Sequence, residues 1–355
     1  MRVAVVAMRT AQLCETGATV RTRRLVAGLA ARGHDVTVFC AQWWGGDHER
    51  FDQRGVTYRR ITRTPAAGSF AAGLPVRLAR HGADVVHAVA SPPAAVRAAR
   101  AGAWLARAPL AVDWWDDHPV DSPGAYGRIA GVPDRVFVPS RLIATRVREH
   151  GVPEAAVRLR PESIDFDLVR SAGVGRRADV VYARRLDADA NVESFLLGLA
   201  ELRDRDWRAA VVGDGPGREA AERTADDLRI ADRVSFLGDL APADLVPILR
   251  GAHVFAWTAL DEPFATELCW ALACGCVGVV EYQSGSSAHE LVEGYDRGVR
   301  VTSPAELADE IAAAAGYERR TVDESFAEYD HDAVLDRTVS SYRSLIEAAG
   351  PLGTT

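Results

Sequence analysis

The chain has 355 residues, of which 48% are hydrophobic and 26% charged, with a formal net charge of −7. That length suits two domains better than one core, and the composition excludes a disordered or fibrous protein. No apolar run reaches the length of a bilayer span, MRVAVVAMRTAQ lacks a signal-peptide core, and the five cysteines have no ligand spacing, so a cytoplasmic protein with reduced thiols is expected.

Residues 3–7 read as a short buried strand, followed by the loop MRTAQLCETGAT. The next helix places Thr22, Leu25, Val26 and Leu29 on one face and is stopped by Gly33. Gly17 stands at its entrance, where the missing side chain lets backbone approach a ligand. The loop is not GxGxxG, so it gives no sign of a nicotinamide dinucleotide site. Strand-like runs recur at 36–40, 56–61, 84–88, 110–112 and 135–138, with helical stretches between most of them, and this alternation predicts a parallel α/β sheet. It breaks over 161–177, a stretch of Pro, Gly, Ser and charge, and restarts at 179–182, 208–212, 234–237, 253–257 and 277–280. Two doubly wound domains with a cleft between them are expected. They would span 1–167 and 179–325, joined by a linker at 168–178, with an amphipathic helix within 326–355.

The most informative stretch is DEPFATELCWALACGCVGVV, residues 261–280. Glu262 is expected at the carboxyl end of the strand VFAWTAL, and Pro263 suits the first turn of a helix running from Phe264 to Gly275. A carboxylate and the N–H groups of Phe264, Ala265 and Thr266 would then face one crevice, where an open parallel sheet binds anionic ligands. Charge adds a second signal. All 42 basic residues are arginine; residues 1–170 hold 24 of them against 16 acidic residues, a balance of +8, and the remainder holds 18 against 33, or −15. A basic first half points to an anionic partner for it, such as a phosphate or a membrane surface.

Eight landmarks in order then carry a resemblance. They are Gly17 with ARGHDVTVF, DVVHA, VFVPS, RPESIDFDL, YARRLD, VVGDGPGR, FLGDL and DEPFATELCWALACG. Over nearly its whole length the chain resembles the family 4 glycosyltransferases of the GT-B fold, with two Rossmann-like doubly wound domains and an inter-domain cleft. The resemblance implies transfer of a sugar from a nucleotide-sugar donor with retention of anomeric configuration; no cofactor is implied, and no metal is needed where cations and helix dipoles neutralise the leaving group. Arg185 would contact the donor diphosphate, since an arginine fork suits phosphate oxygens. Glu262 would bond hydroxyls of the transferred sugar, Gly17 would let the first-domain loop close on the phosphates, and Gly213, Asp214 and Gly215 would complete the donor pocket. The last helix would cross back onto the first domain.

The departures are specific. The family's glycine before the motif arginine is Arg184, its lysine five residues after that arginine is Ala190, its second motif glutamate is Trp270, and its histidine falls on Trp115. Arg184 is expected to return the missing cation, Glu267 to reach a ribose hydroxyl and Trp270 to stack on a base or sugar ring. His118 and Asp116 are the two candidates for the polar catalytic group.

The expected function is sugar transfer to a glycan, lipid-linked or phosphate-bearing acceptor, in the cytoplasm and peripheral to the inner membrane face, with no nucleic-acid partner. The membrane face would use Arg50, Arg54, Arg59, Arg60, Arg63, Arg77 and Arg80. The alternatives are a non-catalytic GT-B binding or scaffolding subunit that has lost donor-site residues, and a sugar-nucleotide epimerase on the same fold.

Overall fold

Short apolar strands alternating with helices give two main sheets, each with its own core, and a third sheet of two short strands, in a computed structural model that describes residues 1–115, 124–175 and 178–350. Unit 1 contains Met1–Pro161 together with the segment from Asp332 onward, and unit 2 contains Glu162–His331. The divisions therefore fall at Pro161 and His331. Residues 168–178, read from sequence as a linker, belong to unit 2 and begin inside a helix.

In unit 1 the strands are β1 (Arg2–Val6), β2 (Asp35–Ala41), β3 (Arg50–Gln53), β4 (Val56–Thr62), β5 (Val85–Val89), β6 (Leu110–Asp113), β7 (Arg135–Val138) and β8 (Val157–Leu159). They pair in the order β3-β4-β2-β1-β5-β6-β7-β8, all parallel except the β3–β4 pair. The helices are α1 (Gly17–Ala31), α2 (Ala67–His81), α3 (Pro93–Ala106) and α4 (Arg141–Glu149). Phe70, Leu74, Leu78, Val96 and Ala99 cover one face of the sheet, while Leu25, Leu29, Leu335 and Tyr342 cover the other. Central strands buried on both faces explain why their sequences read as apolar runs rather than as alternation.

Unit 2 opens with α5 (Phe166–Ser171) and continues through β9 (Val180–Ala183), α6 (Val192–Glu201), β10 (Ala209–Val212), α7 (Arg218–Asp227), β11 (Val234–Gly238), α8 (Pro242–Gly251) and β12 (Val254–Trp257). The chain goes on with β13 (Asp261–Glu262), α9 (Thr266–Ala273), β14 (Val277–Glu281), β15 (Gly285–Ser286), α10 (His289–Val292), β16 (Gly298–Val301) and α11 (Pro304–Ala313). It ends in α12 (His331–Ala349), whose Leu335, Val339, Tyr342 and Leu345 pack into the core of unit 1. The main sheet of unit 2 is parallel, in the order β11-β10-β9-β12-β14-β16. Chain order runs one way from β9 through β10 to β11, and the other way from β12 to β16. The point where it reverses lies between β9 and β12, and loops leaving the carboxyl ends of those two strands flank the usual ligand crevice of such sheets.

Candidate functional site

Arg184 and Arg185 directly follow β9, and Glu262 follows β12 by five residues. The expected helix over 264–275 begins two residues late, because Asp261 and Glu262 pair as β13 with Gly285 and Ser286. Pro263 thus sits in the turn before α9, not in its first helical turn. Phe264 and Ala265 are buried, and the Thr266 N–H donates to the Phe264 carbonyl at 3.0 Å. The N–H groups expected to face a ligand are therefore only partly those of a helix end.

Arg184 turns inward. Its Nε donates to Glu262 Oε2 at 3.1 Å, its Nη1 to Asp187 Oδ1 at 2.9 Å, and its Nη2 to the Asp261 carbonyl at 3.1 Å. Burial opposes its charge, but Glu262 and Asp187 more than offset that and leave its pKa raised. Arg185 points the other way: its side chain is 69% exposed and its Nε lies 4.0 Å from Asp187 Oδ2. Adjacent residues leaving a strand have taken opposite sides, one cation being used within the fold and the other presented outward.

Glu262 has only 17% of its side chain exposed. Burial pushes its carboxyl up to about 8, against the pull of Arg184 and with reinforcement from Glu267. Burial raises Glu267 as well; its carboxylate accepts from its own backbone N–H, and Glu162 adds a like charge. Trp270 is 6% exposed, so it offers no open ring face for stacking. Ala190, in the family's lysine position, is fully buried and its carbonyl accepts from the Tyr182 hydroxyl at 2.6 Å.

A raised carboxyl costs stability as it ionises. Its contribution is fully present below the unfolded value near 4.5 and is lost as pH rises through about 8. Glu262→Gln cannot titrate, so the stability of the parent should fall relative to that variant by roughly 3–5 kcal/mol between pH 5 and 9. Urea midpoints across that range check this; parallel pH profiles would refute it.

The GDGPG loop packs against the same segment. The Leu186 N–H donates to the Asp214 carbonyl at 2.9 Å, and the Gly217 N–H to the Leu186 carbonyl at 2.8 Å. Gly213, Asp214 and Gly215 already use their own N–H groups, on the Gly238 carbonyl, Asp239 Oδ1 and Asp214 Oδ1 respectively. These residues shape the 184–187 turn from behind.

In unit 1, Thr16 caps α1 through a reciprocal pair of bonds with Thr19. A Cβ on Gly17 would stand 3.0 Å from the Trp115 ring, so this glycine admits an indole. Beneath lies a charged cluster that sequence reasoning missed. Asp113, ending β6, accepts from Arg21 Nε at 3.2 and 3.0 Å and from Arg160 Nη2, and Arg21 Nη2 donates to the Arg160 carbonyl. All three side chains are buried, and the Arg21 guanidinium lies 5.4 Å from the Trp115 ring centroid. Burial works against the Asp113 charge, but Arg160 and Arg21 overcome it and hold the carboxyl below the usual carboxylate range. The available signals were a carboxylate closing the apolar strand LAVD and an arginine four residues before Leu25 on the apolar face of α1. Asp116 and His118 lie outside the described residues.

The arginines expected to face a membrane are partly neutralised. Arg50 pairs with Asp52, and both Arg60 and Arg63 with Asp47. Among the described residues no helix is long and apolar enough to cross a membrane.

Two family models match: the glycosyl transferase 4-like domain over residues 16–162 and glycosyl transferases group 1 over 177–316. A GDP-mannose-dependent alpha-(1-6)-phosphatidylinositol monomannoside mannosyltransferase of Mycolicibacterium smegmatis is 29% identical over 299 residues, 75% of this chain and 77% of that one. A D-inositol 3-phosphate glycosyltransferase of the same organism is 25% identical over 402 residues, 96% of this chain and 90% of that one. Anabaena HepE, solved in complex with UDP, aligns with a TM-score of 0.73 at 18% identity, covering 97% of this chain and 100% of its own. With matching models on both halves and parallel α/β sheets beneath them, the chain belongs to the family 4 glycosyltransferases of the GT-B fold.

Proposed function

We propose that this glycosyltransferase moves a hexosyl group from a nucleoside diphosphate sugar to a phosphate-bearing or lipid-linked glycan or polyol, with retention of anomeric configuration and without a metal. The observation that carries this reading lies at the sheet reversal of unit 2, where Arg185 turns outward after β9 while the adjacent Arg184 holds a buried, high-pKa Glu262. In the proposed step the anomeric carbon–oxygen bond breaks and its electron pair passes to the terminal phosphate of the leaving nucleotide, while the acceptor oxygen forms the new bond on the same face and its proton passes to the departing phosphate oxygen. Arg185 meets the charge that grows on the diphosphate. Glu262, close to neutral at physiological pH, has a proton to share with a sugar hydroxyl. The names of both curated relatives contain an inositol phosphate, which supports an acceptor of that polarity. Work in the cytoplasm, peripheral to an anionic membrane surface, is part of the same proposal.

A panel of UDP-, GDP-, ADP- and dTDP-sugars tests it by thermal shift. A ligand bound only by the native state stabilises it by about 2.7 kcal/mol at a hundred times its dissociation constant, so one nucleotide class should raise the melting temperature by several degrees. Chelator should leave that shift and subsequent turnover unchanged, and NMR of the product should show the donor's anomeric configuration. A panel with no shift would favour the non-catalytic alternative.

A further inference from the structure

The outer end of the unit 1 sheet carries a second polar site, remote in chemistry from the donor residues of unit 2. Strands β7 and β8 run parallel with Phe137 beside Arg158, so alternation puts Arg135, Arg158 and Arg160 on one face. Facing them, Arg337, Ser341 and Ser344 follow one another at helical spacing along α12. Together they line a groove of about 570 Å³, large enough for a phosphate with a small polyol attached.

No carboxylate is among the described lining residues. Of the nearby acidic groups, Asp113 is shared between Arg21 and the groove-lining Arg160, Asp134 takes Arg100 and the Leu110 N–H, and Asp332 and Asp336 take Arg32. Arg135 Nη1 donates to the Ser341 hydroxyl at 3.0 Å, but its buried Nε has no acceptor among the described residues, and neither has Arg160 Nε. Arg158 Nη1 donates to the carbonyls of Ala155 and Val157 at 3.0 and 2.7 Å. Burial lowers the pKa of Arg135, and the charge of Arg158 lowers it further, which is the effect expected of two cations held close together. Gathering like charges in a half-buried groove is costly, and an anion that accepts from several guanidinium forks offsets that cost.

We propose that this groove binds a phosphate group, presented by a soluble phosphate ester or by a lipid headgroup, through Arg135 and Arg158 with the hydroxyls of α12 completing the site. The inference rests on unit 1 alone and does not depend on the donor reading.

The test uses the full chain, with ionic strength held constant by sodium chloride. Inorganic phosphate and glycerol 3-phosphate are titrated by calorimetry, and vesicles of phosphatidylcholine with and without phosphatidic acid are tested by co-sedimentation. The parent should bind at least one phosphate probe saturably, and Arg158→Gln should weaken that binding by about tenfold or more, the scale of a hydrogen bond to a charged group. Arg158 is exposed, so its replacement leaves the fold intact; Arg135→Gln provides the second variant. Arg185→Ala should retain the binding, which separates this groove from the donor site. Variant-sensitive binding of the soluble esters assigns the phosphate to a soluble ligand, and variant-sensitive capture confined to phosphatidic acid vesicles assigns it to a headgroup. Binding of every phosphate probe equal to that of chloride, or equal in the parent and the double variant Arg135→Gln/Arg158→Gln, would overturn the proposal.

Discussion

Replacing Asp113 with Ala should lower the stability of unit 1 by about 3–5 kcal/mol, because it leaves two buried guanidinium groups without their shared carboxylate. Desolvating an ion pair is expensive in itself, so the pair need not add much net stability over an apolar replacement. Removing one partner is different, since the remaining charges stay buried and lose their attraction. For a unit of this size the corresponding drop in melting temperature is roughly 6–20 °C, which calorimetry resolves. Asp47 is the control: it also meets two arginines, but its side chain is 72% exposed, and its replacement should leave the melting temperature nearly unchanged. The pH dependence has a definite sign. The Asp113 carboxyl is held below its unfolded value, so its contribution is present above about pH 4 and is lost as pH falls below that. Equal losses for Asp113→Ala and Asp47→Ala would show that the buried cluster is not a structural element.

Gly213→Ala should cost on the order of 3 kcal/mol or more and weaken donor binding with it. Gly213 has φ +126°, a conformation that L side chains rarely adopt, and an added Cβ would fall 1.9 Å from the Arg184 carbonyl oxygen. That obstacle is backbone, so relief requires moving the turn that positions Arg184 and Arg185. Gly173, exposed with nothing within 4 Å of an added Cβ, should accept alanine with little change. A Gly213→Ala chain with parental stability and donor affinity would mean that the GDGPG loop does not set the 184–185 geometry.

Much of the fold was legible because parallel strands buried on both faces leave compact apolar runs, and every such run from β1 to β14 is a strand. The strands that escaped have no such signature. β3 is the polar edge strand RFDQ, β8 is the three-residue edge strand VRL, β16 is the half-exposed GVRV, and β13 and β15 have two residues each. The β13 pairing also displaced the start of α9, because a pairing 24 residues away fixed Glu262 in extended backbone before Pro263 could open a helix. For the site, motif positions located the loops but not the direction of their side chains. Arg184 and Glu262 are 78 residues apart and meet only through the β9–β12 pairing, so the inward turn of Arg184 could not be read from YARRLD. Asp113 was passed over for Asp116 because a lone acid closing a strand resembles any loop entry until Arg21 and Arg160 are seen to converge on it.

The most direct measurement is the affinity of the Arg185→Ala chain for whichever nucleotide sugar stabilises the parent, determined by calorimetry beside the turnover of both proteins. Arg185 is exposed and its Nε stands 4.0 Å from Asp187 Oδ2, so its replacement should leave stability nearly unchanged. Loss of a charged contact to a diphosphate, about 1.5–3 kcal/mol, should weaken donor binding roughly tenfold or more and reduce turnover at least as much. Unchanged affinity and turnover would contradict the assignment of donor recognition to the sheet reversal of unit 2.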